Sequence, residues 1–155
     1  MIDLTSLLEN GAVLPFISAQ SRKQALTQLA EALAEKNGLD ARSVLEAVME
    51  REQLGSTGVG EGVAIPHARF EGVEAPVGAY ARLETGVDFE AVDDRPCDLI
   101  FMLLAPLSAG ADHLRALAQV SRTFRQASIR DMLRQAETEE GVVAILCPVE
   151  KGAVA

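Results

Sequence analysis

The sequence lacks any apolar run long enough to cross a membrane. Its longest, Leu99 to Ala105, falls far short of the roughly 20 residues a membrane-spanning helix needs and reads instead as a buried strand. The opening residues, Met1 to Ser6, carry no basic region and no apolar signal core, so export is not expected and a cytoplasmic protein is. Positive charge is also scarce: 14 Lys and Arg stand against 23 Asp and Glu, for a net charge of −9. That balance argues against nucleic-acid binding, which needs a basic face to neutralise phosphates. It suits a basic protein partner, although solubility alone also accounts for an acidic surface. Cysteine is nearly absent. Cys97 and Cys147 form no C-x-x-C pair and flank apolar segments, so two buried thiols are expected, neither a disulfide nor a metal site. Repeats and low-complexity tracts are missing as well.

What remains fits one domain over residues 1–149, with a frayed tail over 150–155. Thr5 to Asn10 suggests a short helical turn, and Gly11 to Ile17 a strand bent at Pro15. Ser21 and Gln24 suggest a capping box. It precedes an amphipathic helix with Leu26, Leu29, Ala30 and Leu33 on one face and Asn37-Gly38 as its stop. Asp40 can cap a second helix, with Val44, Leu45, Val48 and Met49 inward and Gly55 ending it. Val63 to Ile65 reads as a short strand end before Pro66, Val77 to Leu83 as a strand, and Leu99 to Ala105 as a central one. Thr85 to Pro96 is polar and turn-rich. A third amphipathic helix from about Asp112 places Leu114, Leu117, Ala118, Ser121 and Phe124 on one side, and Ser128 opens another through about Ala136. Thr138 to Leu146 is ambiguous: GVVAIL favours a strand, while Thr138-Glu139-Glu140 looks like a helix start. Helices interleaved with apolar strands predict a single-domain α/β sandwich.

The chemistry concentrates in Arg51 to His67, REQLGSTGVGEGVAIPH. Glycines let a backbone approach a ligand and turn amides inward, Ser56 and Thr57 offer hydroxyls, and Arg51 offers a planar fork suited to phosphate oxygens. Such a loop suits an oxyanion, and it equally suits a structural turn. It is neither a nucleotide P-loop, lacking Gly-Lys-Ser/Thr, nor a dinucleotide fingerprint. The only histidines are His67 and His113. Their separation and the lack of a local ligand cluster speak against zinc. A neutral imidazole is a competent nucleophile near neutral pH. Phosphoryl chemistry needs one such acceptor, plus groups that hold its tautomer and neutralise the phosphoryl oxygens. His113, Arg51 and the loop hydroxyls are the right types, and Asp112 stands next to His113.

STGVGEGVAIPH closely resembles the active-site signature of the fructose–mannitol group of IIA proteins in the bacterial phosphoenolpyruvate-dependent phosphotransferase system. The resemblance covers essentially the whole domain, including Arg51-Glu52, DLIFMLLAP and Asp112-His113-Leu114. Within that group it is most like the nitrogen-regulatory branch (PTS EIIA-Ntr). The resemblance implies an α/β/α sandwich with a mixed central sheet flanked by helices, and it makes the C-terminal segment helical. It implies phosphorylation of His67 at Nε2, His113 as the second active-site histidine, and Arg51 as support for the phosphoryl group. Ser56, Thr57 and Gly58 would bind phosphoryl oxygens, with no cofactor and no metal.

The implied donor is an HPr-like phosphocarrier protein (NPr). The implied targets are regulated proteins such as sensor kinases or potassium transporters, with no nucleic acid and no membrane insertion. The alternative is a sugar-specific IIA subunit of a fructose or mannitol permease, and the absence of any fused transport domain favours regulation. Glu61 stands where the signature often has Asn. A carboxylate pointing inward would oppose a phosphoryl group, so Glu61 is expected to face solvent or a basic partner. Ala68-Arg69 after the histidine carries no assigned role.

Overall fold

A computed structural model of the chain describes residues 3–148; the expected tail, 150–155, lies outside the described residues. In chain order the elements are α1 (Thr5–Leu8), β1 (Ala12–Ile17), α2 (Arg22–Asn37), α3 (Ala41–Leu54), β2 (Gly58–Gly60), β3 (Val63–Ala64) and β4 (His67–Arg69). There follow β5 (Val77–Val87), β6 (Cys97–Ala105), α4 (Gly110–Arg125), α5 (Ala127–Gln135) and α6 (Glu139–Leu146). The strands form one mixed sheet in the order β1-β5-β6-β3-β2, with β4 also paired to β6.

The run Leu99 to Ala105 is continuously apolar because β6 is covered on both faces. Ile100, Met102 and Leu104 alternate toward a core shared with Leu26, Leu29 and Leu33 of α2 and Val44 and Val48 of α3. Leu99, Phe101 and Leu103 point the other way, toward Tyr80 and residues of α1, α4, α5 and α6. A strand side-chain period of two therefore makes two separate cores from one sheet, giving the three-layer α/β/α arrangement. Among the described residues no helix is long and apolar enough to cross a membrane.

Local sequence signals hold at most boundaries. Ser21 Oγ accepts the Gln24 amide at 3.1 Å. The Gln24 side chain reaches back to the Gln20 amide at 2.8 Å, one residue before the cap itself. Gly38 ends α2 with φ +64°, a left-handed conformation that glycine adopts without cost. The Asp40 carboxylate accepts the Ser43 amide at 3.0 Å. Pro15 sits inside the register shift between Leu14 and Ile17 of β1, where a missing N–H breaks the ladder.

Two expectations are revised. The strand expected over Val77 to Leu83 continues to Val87, and the polar segment after it hides Phe89 and Ala91. The inward stripe of α4 is His113, Ala116, Val120, Thr123 and Phe124, while Leu114 is 66% exposed. The helix is rotated by about one residue from the face its leucines predict, with His113 rather than Leu114 inward. The segment left open by pattern is helical over Glu139–Leu146, as the resemblance implies, with Thr138 as its cap and Val142 and Leu146 buried.

Candidate active site

β3 and β4 run along the same side of β6, separated by Ile65-Pro66. Val63 and Ala64 pair with Leu99 and Ile100, and His67 to Arg69 pair with Leu103 to Ala105. Proline has no N–H to give the ladder, but its carbonyl accepts the Leu103 amide at 2.9 Å. The interruption keeps register and frees the Ile65 carbonyl, which lies 2.8 Å from His67 Nδ1. A carbonyl only accepts, so Nδ1 carries the proton and Nε2 keeps its lone pair.

His67 is half-buried and opens on a cavity of about 390 Å³. α3 contributes Ala47, Glu50, Arg51 and Leu54 to it, β4 contributes His67 to Arg69, and α4 contributes His113. The two imidazole centroids are 5.6 Å apart, with their planes inclined by 53°. Burial holds His67 below the ordinary histidine range and the Arg51 charge adds to this, while the Ile65 hydrogen bond and the Glu52 charge oppose it. Burial also lowers His113, assisted by the charges of His67 and Arg69. Two neutral rings beside two guanidinium groups, against the one carboxylate of Glu50, give a cavity of net positive charge with an available nitrogen nucleophile. Arg51 is steadied by a 2.8 Å bond from Nη1 to the Gly55 carbonyl.

The fold thus gathers His67, His113 and Arg51, but it turns the loop hydroxyls elsewhere. Ser56 Oγ donates to the Phe89 carbonyl and accepts the Gly58 amide at 2.9 Å. Thr57 Oγ1 donates to Glu52 and is buried. Gly58 packs so closely on Ala91 that an added Cβ would lie 2.7 Å from the Ala91 Cβ. None of these three residues lines the His67 cavity; each instead fixes the loop that leads to it, and Thr57 O takes the Ile65 amide at 3.0 Å. Glu61, at the far end of that hairpin, pairs with Arg95 at 3.3 Å and is exposed, as its charge requires.

Residues without an assigned role complete the arrangement. Arg69 reaches the cavity because it lies two positions beyond His67 in a strand, on the same face; the period of two was the available signal. The Glu52 side chain, 1% exposed, pairs with Arg22 Nη1 at 3.2 Å. Arg22 also lies over the Phe89 ring, 5.9 Å from its centroid. Nothing in the sequence links positions 22, 52 and 89. Among the described residues, no group of three or more His, Cys, Asp or Glu side chains is placed to hold a metal ion.

Residues 6–147 match the family described as "Phosphoenolpyruvate-dependent sugar phosphotransferase system, EIIA 2". A protein of Bradyrhizobium diazoefficiens named "Nitrogen regulatory protein" is 44% identical over 92% of this chain and 94% of its own length. A Haloferax volcanii protein named "PTS system fructose-specific EIIA component" is 42% identical over 71% of each chain. The crystal structure of nitrogen regulatory protein IIA-Ntr from Neisseria meningitidis superimposes with a TM-score of 0.84. It is 38% identical to this chain and covers 92% of it and 98% of its own length. With a family match spanning nearly its whole described length, the chain belongs to the EIIA 2 family and is a phosphoryl-transfer component of the phosphoenolpyruvate-dependent phosphotransferase system.

Proposed function

We propose that the protein is a cytoplasmic phosphohistidine carrier that accepts a phosphoryl group on His67 Nε2 from an HPr-like phosphocarrier (NPr) and acts in regulation. The observation that carries this reading is the 2.8 Å contact between His67 Nδ1 and the Ile65 carbonyl. It leaves Nε2 unprotonated at the cavity. The Nε2 lone pair attacks phosphorus as the donor's P–N bond breaks, and that bond pair returns to the donor imidazole. Nδ1–H stays on the Ile65 carbonyl, which stabilises the positive charge growing on the His67 ring. Arg51 and Arg69 neutralise the phosphoryl oxygens, and His113 orients them. One P–N bond replaces another, so the step is reversible.

Regulation is supported by the near full-length likeness to the nitrogen regulatory relative. A phosphoryl group adds about −1.5 to −2 charges and so changes docking to targets such as sensor kinases or potassium transporters. The second reading, a sugar-specific subunit, draws on the fructose-specific relatives, which are less identical to this chain than the nitrogen regulatory one. Transfer onward to a sugar-specific IIB domain would separate the two.

The test is incubation with phosphoenolpyruvate, enzyme I and the small carrier, followed by intact-mass measurement. Wild type gains one phosphoryl group, His67→Ala gains none, and His113→Ala shows labelling or onward transfer slowed by roughly 10²-fold. Labelling of His67→Ala, or none of wild type where a known relative is labelled, overturns the reading.

A further inference from the structure

A second concavity, of about 320 Å³, lies toward the other end of α4 and shares no residue with the His67 cavity. Val63 and Phe124 give it a buried apolar floor, and Val59 adds an apolar wall that is 52% exposed. Ser121 offers a hydroxyl, and Arg125 and Arg130 bring two guanidinium groups to the same space.

The two arginines differ in how they are held. Arg130 is fixed: its Nη1 donates to the Phe124 carbonyl at 3.0 Å and to the Arg125 carbonyl at 2.8 Å, satisfying the last carbonyls of α4. Its side chain is only 12% exposed, yet its Nη2 has just a loose neighbour, Glu61 Oε2 at 3.9 Å. Glu61, whose carboxylate is part of the cavity lining, has a nearer partner in Arg95, at 3.3 Å. At 3.9 Å, to an exposed carboxylate already held by Arg95, this contact is weak, so an incoming acceptor displaces Glu61 from Arg130 at small cost. Arg125 is exposed, and its side chain has no ion-pair partner among the described residues. The tie to α4 explains one nitrogen of Arg130. It explains neither the open Nη2, nor the adjacent unpaired Arg125, nor the valine left in solvent beside them.

We propose that this cavity binds a small organic oxyanion: a compact apolar body bearing a phosphate or carboxylate group, clamped between Arg125 and Arg130. Arginine forks match both oxyanions in two-point geometry. The volume is at the lower end of ligand sites, which limits the body to a compact one. A chain of net charge −9 repels anions in general, so occupancy here requires the local pair of guanidinium groups. The position also matters. The ligand would touch α4, which carries His113 about 18 Å further back along the helix axis, and β3, which leads through Pro66 into His67. Binding itself does not depend on the phosphohistidine reading.

The experiment is an amide NMR titration with phosphoglycolate and with succinate, with inorganic phosphate as the bare ion. The expected result is saturable shifts at Val59, Gly60, Ser121 and Arg125 with at least one organic probe, about tenfold tighter than with inorganic phosphate. The probe that saturates identifies phosphate or carboxylate as the preferred group. Arg125→Gln, at an exposed position, weakens binding at least tenfold with an unchanged melting temperature. Arg42→Gln, an exposed arginine at the start of α3, does not. Shifts confined to His67 and Arg69, absence of saturation with either probe, or equal binding by Arg125→Gln overturns the proposal.

Discussion

At His67 the imidazole loses solvent on burial and gains a hydrogen bond to the Ile65 carbonyl, and these act in opposite directions on its proton affinity. Burial is the larger, so the folded ring holds its proton less tightly than the unfolded one. Between the lowered folded pKa and the ordinary value near 6.5, the unfolded chain binds more protons. Stability therefore rises with pH through that window, is fully present above about 6.5, and is lost as pH falls below it. Asp3, Asp40 and Asp93 are lowered from 3.8, so their losses begin in more acid solution. The urea midpoint is expected to be lower at about pH 5.5 than at about pH 7.5, and His67→Gln to flatten part of the difference. On the function proposed above, phosphoryl acceptance is expected to fade toward acid pH as Nε2 is protonated, read as labelling rate against pH. Gly58 belongs to the same scale: a methyl there meets Ala91 Cα at 2.9 Å, so Gly58→Ala is expected to cost about 1–3 kcal/mol in urea unfolding. His67 and His113 were legible because the chain has only two histidines, and Arg51 because it stands just ahead of the glycine-rich loop. The hydroxyls of Ser56 and Thr57 were not, because residue type says nothing about which way a side chain turns.

The C-terminal helix shows an element deciding against its own propensity. GVVAIL is rich in β-branched residues, yet Thr138 Oγ1 accepts the Gly141 amide at 3.0 Å and starts α6. Val142 and Leu146 then bury against the Tyr80 side of the sheet, and the Leu146 carbonyl accepts the Leu4 amide at 2.8 Å. An isolated segment of eight residues has too few turns to be a stable helix, so packing supplies what propensity lacks. Thr138→Ala is expected to destabilise by about 1 kcal/mol, read as a lower urea midpoint with unchanged slope. α4 makes the complementary point. Its leucines suggest one inward face, but the helix buries His113 and leaves Leu114 out, since Ala116, Val120 and Phe124 set the face that packs on the sheet.

Over the whole molecule, two cores share one sheet, so neither layer of helices can leave without exposing β6. Cys97, at the start of β6, is fully buried, and burial together with nearby carboxylates pushes its thiol up to about 12. Cys147 is only partly buried, which revises the expectation of two buried thiols, and burial raises it as well. Alkylation followed by mass measurement is therefore expected to modify Cys147 slowly in native buffer and Cys97 only in denaturant. Modification of Cys97 in native buffer would show that β6 opens locally. By itself the sequence determined most of the helices, the longer strands and their order, the buried central strand and the histidine at the end of a glycine-rich loop, but not the short strands β2 and β4. These follow from periodicity, caps and residue chemistry, which act over a few neighbouring positions. Only the tertiary structure decided that Arg22 meets Glu52, that Arg69 joins the cavity, that the loop hydroxyls turn away from it and which face of α4 is hidden. Those depend on strand register and helix rotation across long sequence separations, where local pattern exerts no force.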